Sequence, residues 1–205
     1  MILVLIPVIL AYVLGSFPSS VWLGRWLKGI DLRDHGSGNA GATNAFRVLG
    51  IRIGIAVLAM DIIKGFLAVN LSHLQHEIPT DSEGWMILRI GLGALAVAGH
   101  IYPIFARFRG GKGVATMAGI GLAIHPLASL VAIGVYALVF VLFKYSALGS
   151  IAAVLSYPVL VIAVFQSEFK SVWIFSIAVP VLTLLTHRSN IIRLLKGQEK
   201  PVLKN

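Results

Sequence analysis

Seven apolar segments follow one another along this chain, and they limit its possible folds more than any other feature. Most are close to the length of about 20 residues that a helix needs to cross the hydrocarbon core of a bilayer. The segments cover approximately residues 2–23, 53–71, 85–105, 114–124, 127–143, 147–165 and 172–186. The fourth is short for a full crossing, which indicates a tilted helix or a locally thinned bilayer.

The composition supports a lipid environment. Of the 205 residues, 58% are hydrophobic and 12% are charged, whereas soluble domains are about a quarter charged. Backbone groups inside a bilayer must be paired within the protein, which favours helices. The sequence therefore predicts an all-α integral membrane protein with seven transmembrane helices, forming a single domain over residues 1–205. The N-terminal segment lacks a basic region and a cleavage site, so we expect an uncleaved helix.

The basic residues predict the orientation of the chain. On one side of the predicted membrane lie 14 of the 17 lysines and arginines. They are Arg25, Lys28, Arg33, Arg47, Arg52, Arg107, Arg109, Lys112, Lys144, Arg188, Arg193, Lys196, Lys200 and Lys204. The opposite loops hold four acids and Lys170 as their one basic residue. Positive charge marks the cytoplasmic side, so the N-terminus is expected outside and the C-terminus in the cytoplasm. The net charge of +9 is thus explained without nucleic acid.

Several further features have structural explanations. Asp61 and Lys64 lie at i, i+3 in the second segment, where we favour a structural ion pair over a functional one. Residues 189–200 suit a short helix on the inner leaflet, or equally a solvated basic tail. Three histidines on the outer side, His73, His76 and His125, are given no role. Close helix packing is expected at Gly91, Gly93, Gly119, Gly121 and Gly134.

The predicted cytoplasmic loops combine glycine, hydroxyl and amide residues with arginine and lysine. Four segments share this composition, and they cover residues 35–47, 107–113, 145–150 and 187–190. Glycine lets backbone N–H groups approach a ligand, hydroxyls and amides donate further hydrogen bonds, and arginine and lysine supply charge. Such loops bind anions, and phosphate is the natural ligand. Each loop alone is as well explained by packing, but four on one face favour phosphate.

The same loops exclude several chemistries. Gly110–Gly113 lacks the spacing and the following Ser or Thr of a nucleotide-binding P-loop, so ATP is not indicated. The sequence has no cysteine, no H-E-x-x-H pattern and no clustered metal ligands. We expect no metal and no cofactor. The His-x4-Asp pattern of the commoner glycerolipid acyltransferases is also missing, and His35 and His187 are the candidates for proton handling.

These segments resemble one family closely, the bacterial acyl-phosphate:glycerol-3-phosphate acyltransferases of the PlsY type. The resemblance extends over nearly the whole chain, and its most specific part is the run around Asn39. The matching stretches are Gly15-Ser16 with Pro18-Ser19, Ser37 to Asn44 with Arg47, Gly99-His100 with Phe105 to Gly113, Tyr145 to Ser150, and His187-Arg188-x-Asn190-Ile191.

The resemblance implies a multi-pass enzyme of the cell inner membrane with its active site facing the cytoplasm. It implies transfer of a fatty acyl group from acyl phosphate to the 1-hydroxyl of sn-glycerol 3-phosphate, giving lysophosphatidic acid and phosphate. This is the first acylation of phospholipid biosynthesis. Its expected partners are the two substrates, membrane lipid and a soluble enzyme that supplies acyl phosphate; nucleic acid is not one of them.

Five residues are expected to be catalytic and seven to bind substrate phosphate. The catalytic set is Ser37, Arg47, Lys112, His187 and Asn190, and the binding set is Gly38, Asn39, Thr43, Arg109, Gly111, Gly113 and Ser150. The segment around Asn39, with Ser150, is expected to hold one phosphate and the segment around Lys112 the other. His187 and Asn190 are expected to position glycerol 3-phosphate or its hydroxyl.

Two questions of mechanism and class stay open at this stage. The donor phosphate is favoured as the proton acceptor, because no carboxylate is at hand. The rival mechanism makes Ser37 a covalent nucleophile activated by His187. A transporter is less well supported, because such sites lie near the midplane between inverted repeats, and none is visible. A membrane scaffold without chemistry leaves the polar loops unexplained.

Overall fold

A computed structural model describes residues 2–202, with side chains from residue 5 onward. It forms two compact units, residues 1–124 and 125–205 as bounded by their internal contacts. The described residues contain helices, turns and loops but no strand, so the all-α prediction is confirmed. Lys204, which belongs to the predicted cytoplasmic charge set, lies outside the described residues.

Among the described residues, the first unit contains six α-helices. They are α1 (Ile2–Gly15), α2 (Ser19–Lys28), α3 (Ala42–Leu49), α4 (Ile51–Asn70), α5 (Glu83–Ile101) and α6 (Val114–Ile124). The predicted first segment, residues 2–23, is divided here, because α1 and α2 meet at a 45° bend. Pro18 disfavours helical geometry at the residue before it, which explains the break at residues 16–18.

Small residues let the helices of this unit approach closely. A methyl group added at Gly119 would overlap the backbone of Ile62 in α4, and one at Gly93 would press on Ile120. Gly91 has open space around it. The packing prediction is therefore confirmed for Gly93 and Gly119 and wrong for Gly91, which faces away from its neighbours.

In the second unit, the part that the structure describes contains four α-helices. They are α7 (Pro126–Phe143), α8 (Ser146–Val159), α9 (Lys170–Thr186) and α10 (Arg188–Leu195). A π-helical turn, Leu160–Val164, extends α8 directly after Pro158, since proline removes a donor from the helical ladder. The helices α9 and α10 meet at a 66° bend. Gly134 has open space around it, so close packing there is also wrong.

Helix lengths fit a membrane protein. Four helical stretches are long and apolar enough to cross a bilayer, and the number rises to six if each bent pair counts as one crossing. The short α6 matches the predicted fourth segment residue for residue, 114–124. Large side chains such as Leu138, Leu142 and Ile174 point outward and are more than half exposed, as a lipid-facing surface requires. That the chain crosses the membrane seven times, with its N-terminus outside, remains a prediction.

Candidate active site

Two of the polar loops each lead into the N-terminus of a helix. The first, residues 35–41, precedes α3, and the second, Gly110–Gly113, directly precedes α6. Backbone N–H groups at a helix start have no partner within the helix and carry the positive end of the helix dipole. Both loops therefore have the backbone arrangement of an anion site.

Asn44 holds the first loop in shape. Its side chain is 1% exposed. Its Oδ1 accepts a hydrogen bond from the Ser37 backbone N–H at 2.9 Å, and its Nδ2 donates to the carbonyls of Leu32 and His35 at 3.2 and 3.0 Å. One amide thus ties the start of the loop and the segment before it to α3, and it fixes where Ser37 lies.

We predict that Asn44→Ala destabilises the protein strongly. The change leaves two carbonyls and one N–H group without their partner, at a cost of about 2–4 kcal/mol. A melting temperature lower by about 5–15 °C is expected for a chain of this size. Asn70→Ala is the matched control, since that amide donates to the Phe66 carbonyl at an exposed site. Equal melting temperatures for the two variants would contradict the assigned role of Asn44.

The glycine loop packs against the end of α5. The N–H groups of Gly110 and Gly111 donate to the carbonyls of Ile101 and His100, both at 3.1 Å. A methyl group added at Gly111 would overlap the His100 ring and lie 3.0 Å from the carbonyl oxygen of Ala40. Gly111 therefore lies between α5 and the first loop. The structure brings together the two loops that the sequence analysis assigned to phosphate binding.

An arginine also joins the segments that precede the two loops. Arg33 contacts the Asp31 carboxylate through Nε and Nη2 at 3.0 and 2.7 Å. Its Nη1 donates to the carbonyl of Ala106 at 2.7 Å. The hydrogen bonds from Arg33 hold the pKa of Asp31 well below its usual range, because they stabilise the ionised carboxylate. The segment that leads to the glycine loop is thereby fixed to the segment that leads to the first loop.

We predict a pH-dependent stabilisation from Asp31. A pKa lowered on folding stabilises the folded state above the ordinary aspartate value of about 3.9, and this contribution disappears as pH falls through the folded pKa. Asp31→Asn should lower the melting temperature at pH 7, and its difference from wild type should shrink below about pH 4. Asp34→Asn, at an exposed neighbouring position, is the control. A difference that did not change with pH would contradict the ion-pair explanation.

The predicted side chains of the first unit line these loops. Ser37 and Gly38 are exposed, and Asn39, Thr43 and Arg47 are partly buried. Thr43 and Arg47 lie one helical turn apart in α3, so they share a face. In the second loop, Lys112 and Arg109 differ, since Lys112 is partly buried and Arg109 is exposed. Gly113 has φ +82°, a conformation that favours glycine.

His187 and Asn190 come together at the bend between α9 and α10. Both are buried, with 5% and 8% exposure. The Nδ1 of His187 lies 3.0 Å from the Thr183 carbonyl; a carbonyl only accepts, so Nδ1 donates in this contact. Asn190 donates to Glu199 at 2.8 Å, and Arg193 holds the other oxygen of that carboxylate at 2.7 Å. Ser150 is buried in α8.

Four residues outside the predicted set support these elements. They are Arg33, Asn44, His100 and Glu199. Asn44 and His100 stand within the motif stretches of the sequence analysis, but composition gave no reason to separate supporting residues from binding ones. Glu199 lies in the tail, residues 189–200, where the sequence indicates no partner for it. Its partner, Asn190, lies nine residues earlier in α10, and only the fold of this helix brings the two side chains together.

The pairing of Asp61 and Lys64 is confirmed. Lys64 Nζ lies 2.7 Å from Asp61 Oδ1, and Ser19 Oγ donates to the same oxygen at 2.8 Å. Lys64 also donates to the Phe17 carbonyl at 3.1 Å, within the break between α1 and α2. Asp61 and Lys64 therefore stabilise each other's charge, and Lys64 also stabilises the break between the two helices.

Comparison with known proteins gives one consistent result. A family profile described as glycerol-3-phosphate acyltransferase matches residues 5–197. A Listeria welshimeri protein named glycerol-3-phosphate acyltransferase is 42% identical over 197 residues, which cover 95% of this chain and 94% of that protein. A Chlorobium phaeobacteroides protein of the same name is 39% identical and covers 94% of this chain and 93% of its own.

Solved structures agree with the sequence comparison. The chain is similar to crystal structures of PlsY (YgiH), described as an integral membrane glycerol 3-phosphate acyltransferase. The glycerol 3-phosphate form has a TM-score of 0.85 at 36% identity, and the similarity covers 97% of this chain and 94% of that one. The lysophosphatidic acid form has a TM-score of 0.83 at 35% identity, with the same coverage.

Proposed function

Because this chain belongs to the glycerol-3-phosphate acyltransferase family, we propose that it carries out that reaction with acyl phosphate as donor and the 1-hydroxyl of sn-glycerol 3-phosphate as acceptor. It is an integral membrane acyltransferase. The transporter and scaffold alternatives are thereby set aside. The PlsY structures in glycerol 3-phosphate and lysophosphatidic acid forms match the acceptor and the product of this reaction.

The contact between the two helix-N-terminal loops carries the proposal. Gly111 lies against both Ala40 and His100, so two anion-binding backbone segments lie side by side. Both proposed substrates bear a phosphate, and each of the two loops would bind one of these phosphates. Lys112 and Arg47, both partly buried, add cationic charge where water screens it less than at the surface.

The proposed chemistry needs little beyond orientation and charge. The hydroxyl oxygen of glycerol 3-phosphate attacks the carbonyl carbon of acyl phosphate, the carbon–oxygen bond to phosphate breaks, and the hydroxyl proton goes to the departing phosphate. A mixed anhydride has a good leaving group, so the protein works by positioning both substrates and stabilising charge on the departing phosphate.

Each predicted residue has a role in this scheme. Ser37, Gly38, Asn39, Thr43 and Arg47, helped by Ser150, bind one phosphate. Lys112 and Arg109, with Gly111 and Gly113, bind the other. His187 and Asn190 position glycerol 3-phosphate or its hydroxyl. The rival use of Ser37 as an acyl-enzyme nucleophile requires an activating base. Trapping a labelled acyl group on the protein would support that rival.

The remaining proposals concern the cellular setting. The basic loops favour seven crossings of the cell inner membrane, with the N-terminus outside and the site in the cytoplasm. The whole chain is proposed to act as one catalytic domain. A soluble enzyme that forms acyl phosphate would supply the donor, since that anhydride is reactive and must be made close to where it is used.

A phosphate-release assay tests the function. Purified protein in lipid mesophase receives palmitoyl phosphate and glycerol 3-phosphate without divalent metal. Phosphate release that needs both substrates, with an equal amount of lysophosphatidic acid, is the expected result. Product formed with acyl-CoA but not with palmitoyl phosphate would show that the donor is wrong. No product with any donor would contradict the function itself.

A further inference from the structure

A cluster of buried ionisable side chains lies next to the first loop and the glycine loop. Asp61, Lys64 and His100 are 1%, 5% and 6% exposed. The Oδ1 of Asp61 receives hydrogen bonds from Ser19 and Lys64, and His100 Nδ1 lies 3.6 Å away, beyond hydrogen-bond distance. Charges in this environment are costly to bury and are found where they have a function.

The cluster contacts both the α1–α2 break and the glycine loop. Lys64 holds the Phe17 carbonyl at the α1–α2 break. The His100 ring packs under Gly111, and the His100 carbonyl accepts from the Gly111 N–H group. On its other side, Gly111 approaches Ala40 of the first loop. A rigid block of α4 and α5 side chains therefore supports the glycine loop from below.

A small cavity adjoins the cluster, with room for about one water molecule. Its lining includes Asp61, Lys64, His100, Ala40 and Gly110. The cluster therefore shares one cavity with residues of both loops.

We propose that Asp61, Lys64 and His100 are positioning residues that hold the Gly110–Gly113 loop in its phosphate-binding conformation against the first loop. The proposal rests on the proposed function of that loop. It departs from the structural explanation that the sequence favoured for Asp61 and Lys64. A merely structural pair changes the amount of folded enzyme, whereas a positioning cluster changes how well folded enzyme binds phosphate.

The first test removes both charges together. Asp61→Asn with Lys64→Met leaves no unpaired charge behind and nearly preserves volume. The KM for glycerol 3-phosphate or for palmitoyl phosphate should rise at least about tenfold, with kcat changed less than about threefold, because ground-state binding is lost. Arg89→Met is the matched control, because it removes a cation that lies in α5 and away from the cluster. Arg89 donates to the Ala123 carbonyl and lies about 16 Å from His100 along the helix. Its KM values should equal those of wild type.

A second variant covers the case in which the double variant does not fold. In His100→Asn the amide nitrogen replaces Nδ1 facing Asp61, while the ring edge under Gly111 is lost. The KM for the same substrate should again rise. Hydrogen exchange at the 110–113 amides should be faster in both variants than in wild type. Wild-type KM values and exchange in a folded variant would overturn the proposal.

The outcomes separate this proposal from the function itself. If wild-type enzyme turns over both substrates and Lys112→Ala does not, the function of the loop stands. Unchanged KM values in the cluster variants would then count against the positioning role alone. If wild-type enzyme forms no product from any donor, the function fails first, whatever the cluster variants do.

Discussion

Lys112→Ala should lower kcat/KM for acyl transfer by about 100–1000-fold, as expected for loss of a charged group that stabilises a developing anion. Lys112 is partly buried between Gly111 and Gly113, and α6 begins at the next residue, Val114. Its ammonium group and the helix N-terminus thus act on the same anion. Initial rates of palmitoyl phosphate-dependent phosphate release, with protein checked for folding by its melting temperature, measure the effect.

Arg52→Ala provides the control for Lys112→Ala. Arg52 belongs to the same predicted cytoplasmic charge set but is exposed at the start of α4. Its loss should leave kcat/KM within about twofold of wild type, since exposed charges interact weakly. A folded Lys112→Ala enzyme with wild-type rates would remove Lys112 from the site. The substrate whose KM rises in a slow variant identifies the phosphate that this loop holds.

The sequence was sufficient to locate the long apolar helices, whereas α3 lies mostly within the predicted polar loop 35–47 and was not predicted. Apolar runs of about 20 residues have one stable form in lipid, and α4, α5 and α7 begin within about two residues of their predicted positions, an ordinary error at helix boundaries. The break between α1 and α2 was missed. Residues 2–23 carry no charged residue, and hydropathy does not record that Pro18 and the Lys64–Phe17 contact make a bend favourable.

The candidate site was predicted by residue type and completed by tertiary contacts. Arginine, lysine and glycine in a loop indicate phosphate without any knowledge of the fold. The roles of Asn44 and Arg33 depend on contacts that composition does not encode. Arg33 donates to a carbonyl 73 positions away, and sequence patterns predict no such pairing. The sequence indicates no partner for Glu199, whereas in the fold Asn190 of α10 donates a hydrogen bond to it.

Gly111→Ala should lower kcat/KM by about 100-fold, the effect of displacing a binding group by roughly 1 Å. The added methyl group overlaps the His100 ring and crowds the Ala40 carbonyl. His100 is buried beside Asp61 and Lys64, so the ring has little room to move. The glycine loop must move instead, and Lys112 moves with it. The same assay measures this loss.

Gly91→Ala separates this steric effect from a general effect of replacing glycine. Gly91 lies in α5, where an added methyl group meets nothing within 4 Å, and alanine is the better helix former there. This variant should keep wild-type activity and an equal or higher melting temperature. If Gly111→Ala were as active as Gly91→Ala, the contact between the glycine loop and α5 would not be maintained during turnover. The loop would then adopt its binding conformation only around phosphate, and the buried cluster would have no means of acting on the substrate.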